Sequence, residues 1–363
     1  MQFITNVTLG YGNQNYISLS KILLENGVEK IEFIEPLDYE RDYYDLNIEG
    51  FKRKLWFLKL GNVIRSKVDN VILKKLIIKI LNIFFFNIFV FSLMLRKPGV
   101  LITARYIPLL SFLPKKYKII FYCTELFEVE NRKGTLFNCF VDNIDVIISA
   151  QKDRLEFLKR IFLKSRFYLV ENCPFLSGEM DIEKKKNKSI LYQGRVGKEA
   201  NAELLLDLIS ESSDDYVFHI AGPIDKEYED RFRKVIDDKK VKYYGYLRSK
   251  ELRELRRKVS FGLITWKDTS INTKYCAPNK LYEYLQSGLV VVAYKNHSMI
   301  NLNSEYKFGY VSVDDSDNEN ILYYINGMSD DAFKKQSNYN YGLYSTTLNY
   351  NAQIIPFINE EIL

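Results

Sequence analysis

The sequence predicts an α/β fold of two consecutive domains, each a parallel sheet covered on both faces by helices. Three observations predict it. The chain has 363 residues, more than one core usually holds, which suggests two domains of about 150–200 residues. Short apolar runs alternate with segments of helical period along most of it, the pattern of successive βα units. One charged, aperiodic stretch, "YLVENCPFLSGEMDIEKKKNKS", breaks that rhythm, which then restarts.

The elements follow in order. "QFITNVTL" is apolar and β-branched, and after the loop "GYGNQN" the segment "YISLSKILLENG" has a helix pattern that stops at Gly27. "KIEFIE", "GVLITA", "KIIFYCTE" and "IDVIISA" read as further strands, with helical patterns such as "QKDRLEFLKRIF" between them. Beyond the break, "SILYQG", "YVFHIAG", "VKYYG" and "SFGLIT" are strands separated by the helices "NAELLLDLISES", "KEYEDRFRKVI" and "SKELRELRRK". We therefore expect a first Rossmann-like lobe over 1–170, a linker over 171–188, a second such lobe over 189–340, and a C-terminal helical segment, 341–363, returning to the first lobe. Two lobes of this kind would flank a central cleft, with ligands beyond the carboxyl ends of the strands.

Composition narrows the function classes. With 47% hydrophobic and 27% charged residues, the composition is that of a globular chain with apolar material for two cores, and disorder is not expected. The four cysteines, Cys123, Cys139, Cys173 and Cys276, form no Cys-x-x-Cys pair, and His219 and His297 are the only histidines. Reduced cytosolic thiols and no zinc site are expected. The start shows no secretory pattern, so a cytoplasmic location is expected.

The net charge of +6 is uneven. Phe51 to Lys118 carries fifteen Lys/Arg and one acid, Asp69, which is +14 and leaves the rest near −8. Such a block suggests an anionic partner, and a solvated helix face is the plainer alternative. Inside it, Leu76 to Leu95 is an apolar run with one charge, Lys79. It is long enough to span a bilayer, but strands of the first lobe follow it directly. A half-buried helix that docks the lobe on the anionic inner surface of a membrane, through the basic region 51–118, is the expectation. No nucleic-acid partner is expected.

The stretch "YCAPNKLYEYLQSGLVVVAY" carries the chemistry. Pro278 suits a first helical turn. Lys280 adds a full charge to a helix N-terminus that already attracts anions. Glu283, a turn later, suits hydroxyl donors such as a ribose diol, and Gly288 releases the chain into the strand "LVVVA". A well-capped αβ unit without a ligand would look the same.

These residues resemble the "P-N-K-L-x-E-Y-x-x-x-G-x-P-V" signature of bacterial retaining glycosyltransferases of the family-four type, the group 1 glycosyl transferases, which have the GT-B fold. "VENCP", "ILYQGRV", "FHIAGP" and "VKYYGYLRSKELRELRRKVSFGLIT" resemble other motifs of that family in the same order. The resemblance covers about Tyr168 to Ala293. It implies a transferase that moves a sugar from a nucleoside diphosphate, with UDP- or GDP-sugar as the expected donor, to a hydroxyl of a lipid-linked glycan in bacterial surface polysaccharide (capsule or O-antigen) synthesis. No cofactor and no metal are required by it.

The resemblance also implies roles. Gly194, Arg195 and Lys198 would hold the diphosphate with Pro278, Asn279, Lys280 and Leu281, though the family's second basic residue usually stands where this chain has Asn201. Glu283 would bind the ribose. The family's other glutamate falls at Tyr275, which leaves Asn272, Thr273 and Ala277 as candidates for the sugar hydroxyls. Tyr246 and Leu247 lie where the base is met. Glu125, with Glu128 second, is the candidate to orient or deprotonate the acceptor, and Glu125, Arg195 and Lys280 form the implied catalytic set. Gly10, Tyr11, Gly12 and Asn13 form a loop that would approach a phosphate or the acceptor; it lacks a third glycine and an acidic partner cleanly placed after strand two, although Glu35 lies near there. The Asp-x-Asp of "VDDSDNEN", a metal motif in other transferases, reads better as a helix start at Asp317. A nucleotide-sugar epimerase and a non-catalytic partner of the same fold are the competing functions.

Overall fold

A computed structural model describes residues 1–5, 9, 14–37, 49–53, 55–176, 186–236, 240–276, 278–313 and 317–363. The chain divides into two compact units, the first formed by Met1–Glu171 with Gln353–Leu363 and the second by Asn172–Ala352. Residues 341–352, expected with the first lobe, belong to the second.

The first unit contains β1 (Gln2–Ile4), α1 (Gln14–Glu25), β2 (Ile31–Ile34), β3 (Phe51–Arg53), α2 (Leu55–Lys67), α3 (Val71–Met94), β4 (Val100–Thr103), β5 (Lys118–Cys123), α4 (Thr135–Asn143), β6 (Val146–Ser149), α5 (Lys152–Lys159) and β7 (Arg166–Leu169). Its sheet is parallel throughout, in the order β3-β2-β1-β4-β5-β6-β7. Strands such as β6 are buried at every residue, which is why they read as unbroken apolar runs.

The second unit contains β8 (Ser189–Gln193), α6 (Ala202–Glu211), β9 (Val217–Ala221), α7 (Lys226–Ile236), β10 (Val241–Tyr243), α8 (Ser249–Lys258), β11 (Phe261–Ile264), α9 (Ile271–Lys274), α10 (Asn279–Gln286), β12 (Val290–Ala293), α11 (His297–Tyr306), β13 (Gly309–Val311), α12 (Asp317–Gly327) and α13 (Asp330–Thr346). Its sheet, again parallel, runs β10-β9-β8-β11-β12-β13. The last helix, α14 (Tyr350–Glu361), begins in this unit and ends in the first. There the buried Glu361 carboxylate pairs with Lys118 at 2.8 Å and Arg166 at 2.7 Å.

Each sheet reverses its strand order once, between β1 and β4 and between β8 and β11. Such a switch point opens a crevice at the carboxyl ends of the strands, where ligands bind. Two cores flank the second sheet. Ile190, Tyr192, Phe218 and Ile220 face α6, α7 and α12, while Leu191, Ile264, Leu281, Tyr284 and Leu285 fill the opposite face. Tyr284 joins α10 to the sheet, its hydroxyl 3.1 Å from the Leu191 carbonyl and 3.3 Å from the Gln193 N–H. A Cβ at Gly262 in β11 would lie 2.3 Å from the Tyr284 ring. Gly262→Ala is therefore expected to lower stability by about 1–3 kcal/mol through overpacking, read from the urea midpoint at unchanged slope.

Candidate functional site

The site lies at the switch point of the second sheet. After β8, Gly194 takes φ +119°, a conformation open to glycine, and its N–H donates to Ala221 at 2.8 Å. Gly222, following β9, is the matching close approach: a Cβ there would lie 2.0 Å from the Gly194 carbonyl. The Tyr192 hydroxyl donates to the Arg195 carbonyl at 2.6 Å and closes the turn from beneath. Next to this turn stands Lys280, whose Nζ is 3.4 Å from where a Gly194 Cβ would be.

Lys280 sits in the first turn of α10. Pro278 is the N-cap, one place earlier than expected, and Asn279 opens the helix. Every α-helix leaves its first N–H groups without intrahelical partners and carries partial positive charge there. A cation at that end is electrostatically misplaced unless an anion joins it. Lys280 is also buried, and burial pushes its pKa down from 10.5 to about 8. Among the described residues it has no ion-pair partner; its ammonium lies 4.6 Å from the Tyr192 ring centroid and 5.7 Å from that of Trp266. These π faces stabilise it in part. The Trp266 Nε1–H is buried and has no acceptor among the described residues. At neutral pH the site holds a charged, desolvated ammonium. Because the folded pKa lies below 10.5, the unfolded chain binds more protons between about pH 8 and 10.5, and the lysine's contribution to stability rises with pH across that window.

Glu283 follows one turn later. Its Oε2 receives Arg256 Nη1 at 3.0 Å and the Gln193 amide. Arg256, nearly buried on α8, also donates to Gln193 Oε1 at 3.1 Å and Ser287 Oγ at 3.2 Å. Each of these contacts uses Oε2, so Oε1 of the part-exposed carboxylate remains an acceptor for a ligand hydroxyl.

The other implied residues distribute unevenly. Arg195 is 74% exposed and pairs with Asp225 at 3.3 Å. Gly197 admits that aspartate, since a Cβ there would lie 2.1 Å from Asp225 Oδ2. Lys198 is exposed in the turn before α6. Asn201, in the left-handed region at φ 52°, caps α6. Leu281 is core, so only its backbone is available to a ligand. Tyr246 is largely exposed after Gly245 (φ +60°), while Leu247 packs on the core. The Thr273 hydroxyl is occupied in the capping box of α9 with Ser270, which removes it as a sugar ligand. Ala277, the loop of Gly10, Tyr11, Gly12 and Asn13, and Asp314–Ser316 lie outside the described residues. Asp317 is the first residue of α12. Among the described residues no group of three His, Cys, Asp or Glu could hold a metal ion.

In the first unit, Glu125 ends the β5 turn. Its carboxylate lies 3.5 Å from the buried Arg154 guanidinium and is 41% exposed. Glu128 is buried and accepts from the Tyr106 N–H at 3.2 Å. Burial raises its pKa, opposed by Arg105 and Arg132. Of the two, Glu125 is the accessible carboxylate. Glu35, a companion of the glycine loop by sequence, is instead bound by Arg53 at 2.5 Å and by the Leu9 N–H at 2.7 Å.

Sequence reasoning missed Arg256, Gln193, Trp266 and Asp225. For Arg256 a signal was present: it falls one helical turn after Leu252 and next to Leu255 on the buried face of α8, where a charge needs a partner. A separate cavity of about 820 Å³, lined by Val217, His219, Lys242, Tyr244 and Leu255 among others, contains neither Lys280 nor Glu283. His219 there is pushed down to about 4 by burial and is neutral at pH 7.

Comparison with known proteins bears on this geometry. Residues 180–344 match the family Glycosyl transferases group 1. No curated protein matches the chain in sequence. Among solved structures, the pneumococcal O-GlcNAc transferase GtfA, in complex with UDP and GlcNAc, is 15% identical with a TM-score of 0.54, over 76% of this chain and 58% of that one. The chain thus spans less than two thirds of GtfA. Anabaena HepE in complex with UDP is 10% identical with a TM-score of 0.62, over 99% of both chains. WaaG, a glycosyltransferase involved in lipopolysaccharide biosynthesis, is 8% identical with a TM-score of 0.59 over the whole of both. The fold is therefore GT-B.

Proposed function

We propose, from the match of residues 180–344 to the group 1 glycosyl transferases, that the chain is a retaining glycosyltransferase. It moves a sugar from a nucleoside diphosphate to a hydroxyl of a lipid-linked glycan, in bacterial surface polysaccharide synthesis at the cytoplasmic face of a membrane. The observation that carries the reading is Lys280: a buried ammonium with no ion-pair partner among the described residues, at a helix N-terminus beside the Gly194 turn. A diphosphate satisfies the ammonium, the free N–H groups of α10 and the helix dipole together. Oε1 of Glu283, held by Arg256 and Gln193, accepts from the ribose.

In the step itself, the bond from the anomeric carbon to the diphosphate oxygen breaks and the acceptor oxygen bonds to the same face. The departing diphosphate takes the acceptor proton. Lys280 and the α10 N-terminus neutralise the charge that develops on the leaving group, a preorganised electrostatic contribution. Arg195 adds a second, exposed cation. The complexes of HepE and GtfA with UDP make UDP the first nucleoside diphosphate to test.

A calorimetric panel of UDP, GDP, ADP and CMP in EDTA tests the donor site, and the anomeric configuration of the product by NMR tests retention. One diphosphate binding without metal is the expected result; an inverted product would overturn retention. Arg195→Ala is expected to change stability by less than about 0.5 kcal/mol, since its pair is exposed, and to weaken the same diphosphate by about fivefold to tenfold. Unchanged affinity would remove Arg195 from the site.

A further inference from the structure

Arg105, two residues after β4, is a desolvated cation to which the donor site gives no task. Its Nε is buried and has no hydrogen-bond partner among the described residues. The two terminal nitrogens also make no hydrogen bond or ion pair among the described residues, and they are not enclosed. Burial pulls the pKa of the guanidinium down, opposed by Glu128. Thr5, the residue after β1, is fully buried, and its Oγ1 likewise lacks a partner among the described residues. β1 and β4 are neighbours, with Ile4 opposite Thr103. Both residues therefore leave the sheet side by side at the point where its strand order reverses, and there a parallel sheet opens a crevice for ligands.

The turn after β4 holds Arg105 in place. The Arg105 N–H donates to Thr103 Oγ1 at 3.3 Å, and the same hydroxyl donates to the Arg105 carbonyl at 2.8 Å. The guanidinium lies 4.5 Å from the ring centroid of Phe86 on the buried face of α3, which stabilises the cation only in part. Asn87, next on that helix, accepts from the Leu109 N–H at 3.3 Å and fixes the same loop further on. The charged groups facing Arg105 are Glu128 and Arg132. The Glu128 carboxylate is engaged elsewhere, by the Tyr106 N–H at 3.2 Å and by Arg132 at 3.9 Å. Arg132 in turn lies over the Tyr106 ring at 4.5 Å. Two guanidiniums and one carboxylate leave the cluster with one positive charge even when Glu128 is ionised.

We propose that Arg105 recognises an oxyanion, a phosphate or a carboxylate, carried by the acceptor. A guanidinium presents paired N–H donors in a planar fork that matches such a group through two parallel hydrogen bonds. Holding that fork out of water with no anion beside it is costly. An arriving oxyanion removes the cost and supplies the acceptors that the fold does not, whereas a neutral polyol would leave the charge uncompensated. The inference rests on the proposed function only in naming the acceptor as the carrier of the anion; the anion site itself stands on the first unit alone.

Glycerol 3-phosphate and glucuronate probe the site, with glycerol and glucose as their uncharged counterparts, in saturation-transfer NMR on the full chain. Each is titrated against wild type saturated with UDP and, separately, against Lys280→Met, so that the donor cation takes no part. One charged probe or both bind with a Kd that is roughly millimolar, the uncharged ones do not, and the preferred probe distinguishes phosphate from carboxylate. Arg105→Met weakens the charged probe by about tenfold or more, and its ligand-free urea midpoint is not lowered. Arg105→Lys keeps the charge without the fork and falls between the two, which preserves the comparison should the methionine variant not fold. Absence of binding by both charged probes, or equal binding by Arg105→Met, overturns the site. So does a fall in UDP affinity in Arg105→Met, because Arg105 would then serve the donor. A charged probe that binds Lys280→Met while UDP does not bind the wild type refutes the donor site and keeps the anion site; UDP binding without probe binding does the reverse.

Discussion

Lys280→Met lowers the affinity for the preferred nucleoside diphosphate by about 100-fold, close to 3 kcal/mol, without loss of stability. Both halves follow from its setting. The ammonium is buried at the positive end of α10, with aromatic faces beside it and no ion-pair partner among the described residues. Holding that charge away from water costs the ligand-free protein free energy. Methionine fills nearly the same volume without the charge, so the ligand-free variant unfolds at the wild-type urea concentration or above it. A bound diphosphate, by contrast, loses its principal charge-assisted contact. The two measurements, calorimetry and urea unfolding, therefore move in different directions. A variant that lost stability and binding together would indicate that Lys280 is a packing residue and that the loss of affinity is secondary.

Arg256→Met is expected to cost about 2–4 kcal/mol of stability and a further tenfold or so in diphosphate affinity. Arg256 is nearly buried, with Glu283, Gln193 and Ser287 as its partners. Removing one member of a buried ion pair strands the other. The loss stays below the upper limit for such pairs because Glu283 is 29% exposed and regains water. Affinity falls because Oε2 of Glu283 is no longer held, and Oε1 is no longer aimed. Urea unfolding and calorimetry read the two effects, and Glu283→Gln separates them: it keeps the Arg256 contact through the amide oxygen and lowers affinity with little change in stability. If Arg256→Met cost less than about 1 kcal/mol, the network would not be what positions Glu283.

Most of the architecture was legible in the residues. Fully buried parallel strands such as β6 and β12 read as short unbroken apolar runs, and helices such as α8 carry a strong 3.6-residue period. The grouping on α10 was legible too, since Pro278, Lys280 and Glu283 stand in one local stretch and the helix brings them together by itself. What depends on tertiary approach was not. Asp225 meets Arg195 only because Gly197 lacks a side chain. Gln193 and Arg256 meet Glu283 from a strand and a helix far off in sequence. Thr273 looked available from its neighbourhood, yet its hydroxyl serves the α9 cap. The apolar run at Leu76 to Leu95 showed its length but not its two faces; those emerge from the contacts of Asn82 and Asn87.

The proposal that Lys280 is the donor's principal cation is tested most directly by titrating the intact protein with UDP in EDTA across pH 6.5 to 9.5. Burial holds the free lysine at about 8, and a bound diphosphate favours its charged form, raising that pKa in the complex. Below pH 8 the ammonium is already formed and affinity is level with respect to this group. Above pH 8 binding must take up a proton, so affinity falls by up to about tenfold per pH unit, with proton uptake visible as a buffer-dependent heat. In Lys280→Met that fall disappears. Metal-free UDP binding that is level from pH 7 to 9.5, or no binding at all, would contradict the assignment.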